Sequence, residues 1–96
     1  MFLFDDNKNL AVFSTTNVMK KKKLIVHVSH DEEGDWQFFA KEAPLSKNAM
    51  LIGLSQVLEL DDTLLELENL PVGFRADRNT KEDPWRISKI IEEEEE

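Results

Sequence analysis

The sequence predicts an α+β domain. A small antiparallel or mixed β-sheet, built around a central hairpin at about 24–40, is covered on one side by two short helices at about 55–60 and 63–69. Three observations lead to this. Residues 24–30 (LIVHVSH) alternate in polarity and are followed, across an acidic turn holding Gly34, by a second β-prone run at 35–40 (DWQFFA). The apolar period then lengthens to three and four residues through Leu54, Val57, Leu58, Leu60, Leu64 and Leu67. Pro71 and Gly73 finally cut the helical stretch from another strand at 73–77.

Residues 10–15 (LAVFST) are short, apolar and partly β-branched, which predicts the first strand. Residues 17–22 make one helical turn or a plain connection. In 24–30, Leu24, Val26 and Val28 share one face, and Ile25, His27 and Ser29 share the other. The hairpin register follows from matching faces. With 32–34 as a three-residue loop and Gly34 in the left-handed region, Asp31 faces Asp35, His30 faces Trp36, Val28 faces Phe38 and Val26 faces Ala40. A loop one residue longer sets Val28 against Gln37 and scrambles the faces, which a buried sheet face does not permit. Residues 43–46 (APLS) break the pattern, and Met50, Leu51 and Ile52 read as a short buried strand. Asp61, Asp62 and Thr63 interrupt the helical periodicity with good capping residues, and Thr63 with Glu66 matches a capping box. Pro84 and Trp85 mark a loop whose indole packs back on the core.

Ninety-six residues suit one domain, expected at 10–91, with a loosely held segment at 1–9 and an acidic, disordered tail at 92–96. Such a chain supports one core more readily than a core with a deep catalytic cavity. The net charge is −8, but the five glutamates of 92–96 account for much of it, and subtracting them leaves −3. The lysine run 20–23 does not turn a generally acidic domain into a binder of phosphate backbones, so no nucleic acid is expected as a partner. Its bland reading is a solvated turn, which could also attract the acidic tail. The chain has no cysteine, which excludes disulfides, thiolate metal sites and cysteine nucleophiles and favours a reducing compartment. With no basic-then-apolar leader and no long apolar run, the expected location is the cytoplasm, with no membrane contact.

Candidate chemistry is sparse. His27, His30, Asp31, Glu32, Glu33 and Asp35 are the densest group of potential ligands, yet residues three apart on a strand point to opposite faces. The two histidines should diverge, which leaves a polar hairpin tip and predicts no metal and no cofactor. Ser14, Thr15 and Thr16 offer hydroxyls without a nucleophile elbow, and glycines only at 34, 53 and 73 form no phosphate loop. No catalytic residue is predicted. Arg75, Arg78 and Trp85 are the candidate binding residues, since exposed arginine and tryptophan are enriched at binding hot spots. Their competing reading is a charge pair around Asp77 with a core-filling indole.

Three groups of residues also carry a resemblance. They are His30-Asp31-x-x-Gly34-Asp35-Trp36-Gln37-Phe38; Leu60-Asp61-x-Thr63-Leu64 with Leu70-Pro71-x-Gly73-x-x-Ala76-x-Arg78; and Pro84-Trp85. Together with Val12-Phe13-x-Thr15-Thr16, over about residues 10 to 86, they resemble a family of small bacterial domains, some encoded beside polymorphic toxins and similar to immunity proteins. Asp62 stands where relatives would carry proline. These are turn and core residues, so the resemblance implies a shared fold and brings no catalytic residues with it. The function expected is that of a non-enzymatic protein-binding domain, immunity-like, which masks a basic partner toxin. The alternative is an accessory or self-associating bacterial protein, for which an edge-strand homodimer is one route. A small enzyme is disfavoured by the missing constellation.

Overall fold

The computed structural model describes residues 9–20, 22–41 and 46–90. The predicted N-terminal segment up to residue 8, Lys21, the break at 42–45 and the glutamate run 92–96 lie outside the described residues. The chain runs β1 (Ala11–Thr15), α1 (Thr16–Met19), β2 (His27–His30), β3 (Trp36–Phe39), a 3-10 turn (Ser46–Asn48), β4 (Ala49–Gly53), α2 (Leu54–Leu58), a 3-10 helix (Asp62–Leu67), β5 (Phe74–Asp77) and β6 (Arg86–Lys89). The strands form one mixed sheet in the order β4-β1-β3-β2-β5-β6.

The hairpin has the register that face matching predicts: Val28 is opposite Phe38 and His30 is opposite Trp36. Gly34 takes φ +91°, and its N–H donates to the Asp31 carbonyl at 2.9 Å. The Asp31 carboxylate accepts from the N–H groups of Glu33 and Asp35, both at 3.0 Å, so the acidic tip is a self-satisfied turn. The ladder stops at His27. Ile25, expected on the face of His27, is instead buried in the core. Its segment has left the pleat, so strict alternation no longer fixes its direction.

Two features lay beyond the reach of periodicity. β3 inserts between β1 and β2, so β1 pairs with it in parallel, with Phe13 opposite Gln37. β6 adds a sixth strand beyond β5, where Arg86 to Lys89 (RISK) is exposed throughout and carries no strand-like burial pattern. The cap of the second helical segment also moves: Asp61, rather than Thr63, is the N-cap residue, and its carboxylate accepts from the Thr63 N–H at 2.9 Å. The segment is a 3-10 helix, in keeping with its shortness.

The core lies between the sheet and this helical layer. Val12, Val28, Trp36, Phe38 and Ala76 meet Val18 of α1, Leu54 and Val57 of α2, and Leu64 and Leu67 of the 3-10 helix. His30, expected at a polar tip, belongs to the core. Its ring stacks on Trp36 with centroids 4.1 Å apart, and its Nδ1–H donates to the Leu70 carbonyl at 2.8 Å. Pairing opposite Trp36 carries the ring inward, and the turn after the 3-10 helix supplies the acceptor. No helix among the described residues is long and apolar enough to cross a membrane.

A Cβ added at Gly34 would meet nothing within 4 Å, so substitution there tests backbone conformation alone. Gly34→Val is expected to cost about 1–2 kcal/mol through the left-handed penalty, and Gly34→Asn much less. Denaturant midpoints of the two variants check this, and equal midpoints would contradict the left-handed assignment of Gly34.

Candidate functional site

The three residues singled out from the sequence take different places. Arg78, at the end of β5, is 2 % exposed. Its Nη2 donates to Asp61 Oδ2 at 2.7 Å and to the Ile25 carbonyl at 2.9 Å. Nε donates to the same carbonyl at 3.1 Å, and Nη1 to Thr63 Oγ1 at 2.8 Å. The half-buried Trp85 ring covers the guanidinium, with its centroid 4.0 Å from Cζ. Arg78 is thus an internal tie with no face left for a partner, and Trp85 closes it from outside. Arg78 pairs with Asp61, while the charge pair expected around Asp77 is made by Arg75.

Arg75 points the other way, onto the sheet face opposite the helices. Alternation puts His27 and Ser29 of β2, Gln37 and Phe39 of β3, and Arg75 and Asp77 of β5 on this face. They border a groove of about 530 Å³ that also touches Lys41 and Ile90. Asp77 organises its polar side. His27 Nδ1 lies 2.5 Å from Asp77 Oδ1, while Arg75 donates from Nε to Oδ2 at 3.0 Å and from Nη2 to Oδ1 at 3.3 Å. Burial pushes the Asp77 carboxyl up. The hydrogen bonds from Arg75 and His27, with the charges behind them, outweigh that and hold it below the ordinary value of 3.8. An ionised carboxylate only accepts, so the His27 proton sits on Nδ1 and the imidazole edge is fixed toward the groove. Ser29 Oγ donates to Gln37 Oε1 at 3.3 Å.

Farther along the same face, Phe13 of β1 stands opposite Leu51 of β4, and both are exposed. The open face is therefore polar and ion-paired over β2 and β5, and apolar over β1 and β4. Among the described residues no helix covers it.

His27 and Asp77 have the arrangement of a base and its orienting carboxylate. Among the described residues no hydroxyl hydrogen-bonds to His27, and no three His, Asp or Glu side chains gather in a metal-binding group. The groove offers a shaped concavity in which Phe39 and Ile90 stand among fixed polar groups, a geometry suited to binding.

Sequence reasoning found Arg75 but not its companions. Phe39 and Gln37 were legible as the outward positions of the hairpin. The pairing of His27 with Asp77 spans fifty residues and depends on β5 docking beside β2, which no local pattern encodes. No protein-family model, curated protein or solved structure matches the chain significantly.

Two outcomes follow from these carboxylates. Burial pushes the Asp61 carboxyl up, but the hydrogen bonds of Thr63 and Arg78 and the Arg78 charge hold it below 3.8. Its contribution to stability is therefore complete above the unfolded value and lost as pH falls through the lower, folded one. Thermal melts should show Asp61→Asn less stable than the parent at pH 7, by about 3–5 kcal/mol for a broken buried pair, with a smaller further loss on acidification. An unchanged acid limb would contradict this. For Asp77, Arg75→Gln should raise its pKa toward the ordinary value, as read by carboxyl NMR titration. An unmoved pKa would remove Arg75 as a cause.

Proposed function

We propose that this domain is a non-enzymatic protein-binding module whose contact surface is the open face of the sheet. The observation that carries this reading is the groove over β2, β3 and β5. It combines the Phe39 and Ile90 side chains with a fixed His27–Asp77–Arg75 set on rigid strands, beside the exposed Phe13 and Leu51. Aromatic and arginine anchors held in a single geometry bind with little loss of entropy. The acidic chain, at −8, favours a basic protein partner through charge-steered encounter. The resemblance to immunity-like domains supports a toxin in that role, met in the cytoplasm. A bacterial accessory role uses the same surface.

One observation favours a second reading. The oriented His27–Asp77 pair at the wall of a groove could serve a small enzyme as a general base.

Co-purification from the native host, followed by calorimetric titration of the captured protein, separates these readings. Affinity should fall between about 50 and 300 mM salt as rim charges are screened. Phe39→Ala and Arg75→Ala should each weaken binding about tenfold or more, which corresponds to roughly 1.4 kcal/mol. A partner indifferent to both substitutions would place the contact elsewhere. Substrate turnover abolished by His27→Ala, with the fold intact, would establish the enzyme instead.

A further inference from the structure

We infer that β4 is a self-complementary edge through which two copies of this chain join their sheets about a two-fold axis centred on Leu51. Among the described residues β4 and β6 are the two edges of the sheet, and they differ in kind. β6 carries Arg86 and Lys89, the charged residues that guard an edge against pairing. β4 is Ala-Met-Leu-Ile-Gly, with no charge, and Leu51 at its centre is 63 % exposed.

The backbone directions follow from one hydrogen bond. The Leu54 N–H donates to the Leu10 carbonyl at 2.8 Å, so Ile52 and Met50 also turn their backbone groups toward β1. Ala49, Leu51 and Gly53 therefore turn theirs outward. The outward Gly53 N–H is taken by Gln56 Oε1 at 2.9 Å, which ends the open stretch. Among the described residues, both backbone groups of Leu51 remain available to another strand.

The sequence of β4 reads almost the same in both directions: small, large, leucine, large, small. An antiparallel two-fold pairing sets Leu51 against the partner's Leu51, Met50 against the partner's Ile52, and Ala49 against the partner's Gly53. The two leucines exchange N–H to carbonyl bonds, while Met50 and Ile52, half-buried in one copy, become covered on the helical side. On the open side, Phe13 lies opposite Leu51 in register. The dimer thus aligns Phe13, Leu51 and their two symmetry mates in one apolar row, and places both open faces on a single continuous surface. Any other strand would have to supply this symmetry by accident, whereas a second copy supplies it by construction. A contact of five residues, about 17 Å long, is short of the standard interface size, so monomer and dimer exchange with concentration.

This inference does not rest on the binding role of the open face, and salt tells the two apart. Binding of a basic partner weakens with salt, whereas association of two chains of charge −8 strengthens as repulsion is screened. Sedimentation of the full chain from about 10 μM to about 1 mM should show a monomer–dimer equilibrium shifted toward dimer by salt. Leu51→Lys, at an exposed position, should abolish it, and Ile87→Lys on β6 should leave it unchanged. Because the chain has no cysteine, Leu51→Cys introduces a single thiol. Opposed Cα atoms in a hydrogen-bonded antiparallel pair lie about 5.5 Å apart, with the Cβ atoms beyond direct disulfide reach, so a short bifunctional thiol reagent should join two copies covalently. A monomer at every concentration, a dimer that survives Leu51→Lys, or a Leu51→Cys dimer that does not cross-link would each overturn the proposal.

Discussion

The guanidinium of Arg78 ties the start of the 3-10 helix to the sheet, which no strand pairing does. It reaches from the end of β5 to the Ile25 carbonyl ahead of β2, to Asp61 and Thr63 at the start of the 3-10 helix, and lies beneath the ring of Trp85 in the loop before β6. Taking a charge out of water costs several kcal/mol, so such a group persists only where its donors are satisfied. Both the Nε and the two terminal nitrogens have acceptors here, one of them ionised. Lysine, a point charge on a flexible stem, could not span these directions at once. The helical layer is thereby set against the sheet at one height. The apolar residues behind it, Leu64 and Leu67 among them, can then interdigitate with Val28 and Phe38.

A second internal tie works at the other end of β2. His30 stacks on Trp36 and hydrogen-bonds to the Leu70 carbonyl, while its own carbonyl accepts from the Gly73 N–H. The two ties leave the helices on one side only. Polar groups on the opposite face must then satisfy one another, and Asp77 does so by accepting from both His27 and Arg75. The polar groups of the open face are thus held in place by one another.

The hairpin register, the change of hydrophobic period and the turn at Pro71 and Gly73 were legible because each is a local pattern. The parallel entry of β3 beside β1, and β6 with its exposed residues, were not, since both depend on distant pairing. At the candidate site the sequence drew attention to arginine and tryptophan as residue types but could not tell their directions. Arg75 and Arg78 differ by three positions, so in and near a strand they fall on opposite faces, one on the open sheet and one in the core. Several residues singled out in the sequence fall on the ties themselves: His30, Trp36, Asp61, Thr63, Arg78 and Trp85. They specify how the fold is locked.

The central claim, that Arg78 and Asp61 act as one buried unit, is tested most directly by a double-mutant cycle in denaturant with Arg78→Met, Asp61→Asn and the pair. Removing either partner alone strands the other, so each single change should be severe and the double change should cost far less than their sum. A coupling of about 2 kcal/mol or more is expected. Losses that add to within about 0.5 kcal/mol would show that the two side chains are independent, and the account of the fold would fail with them.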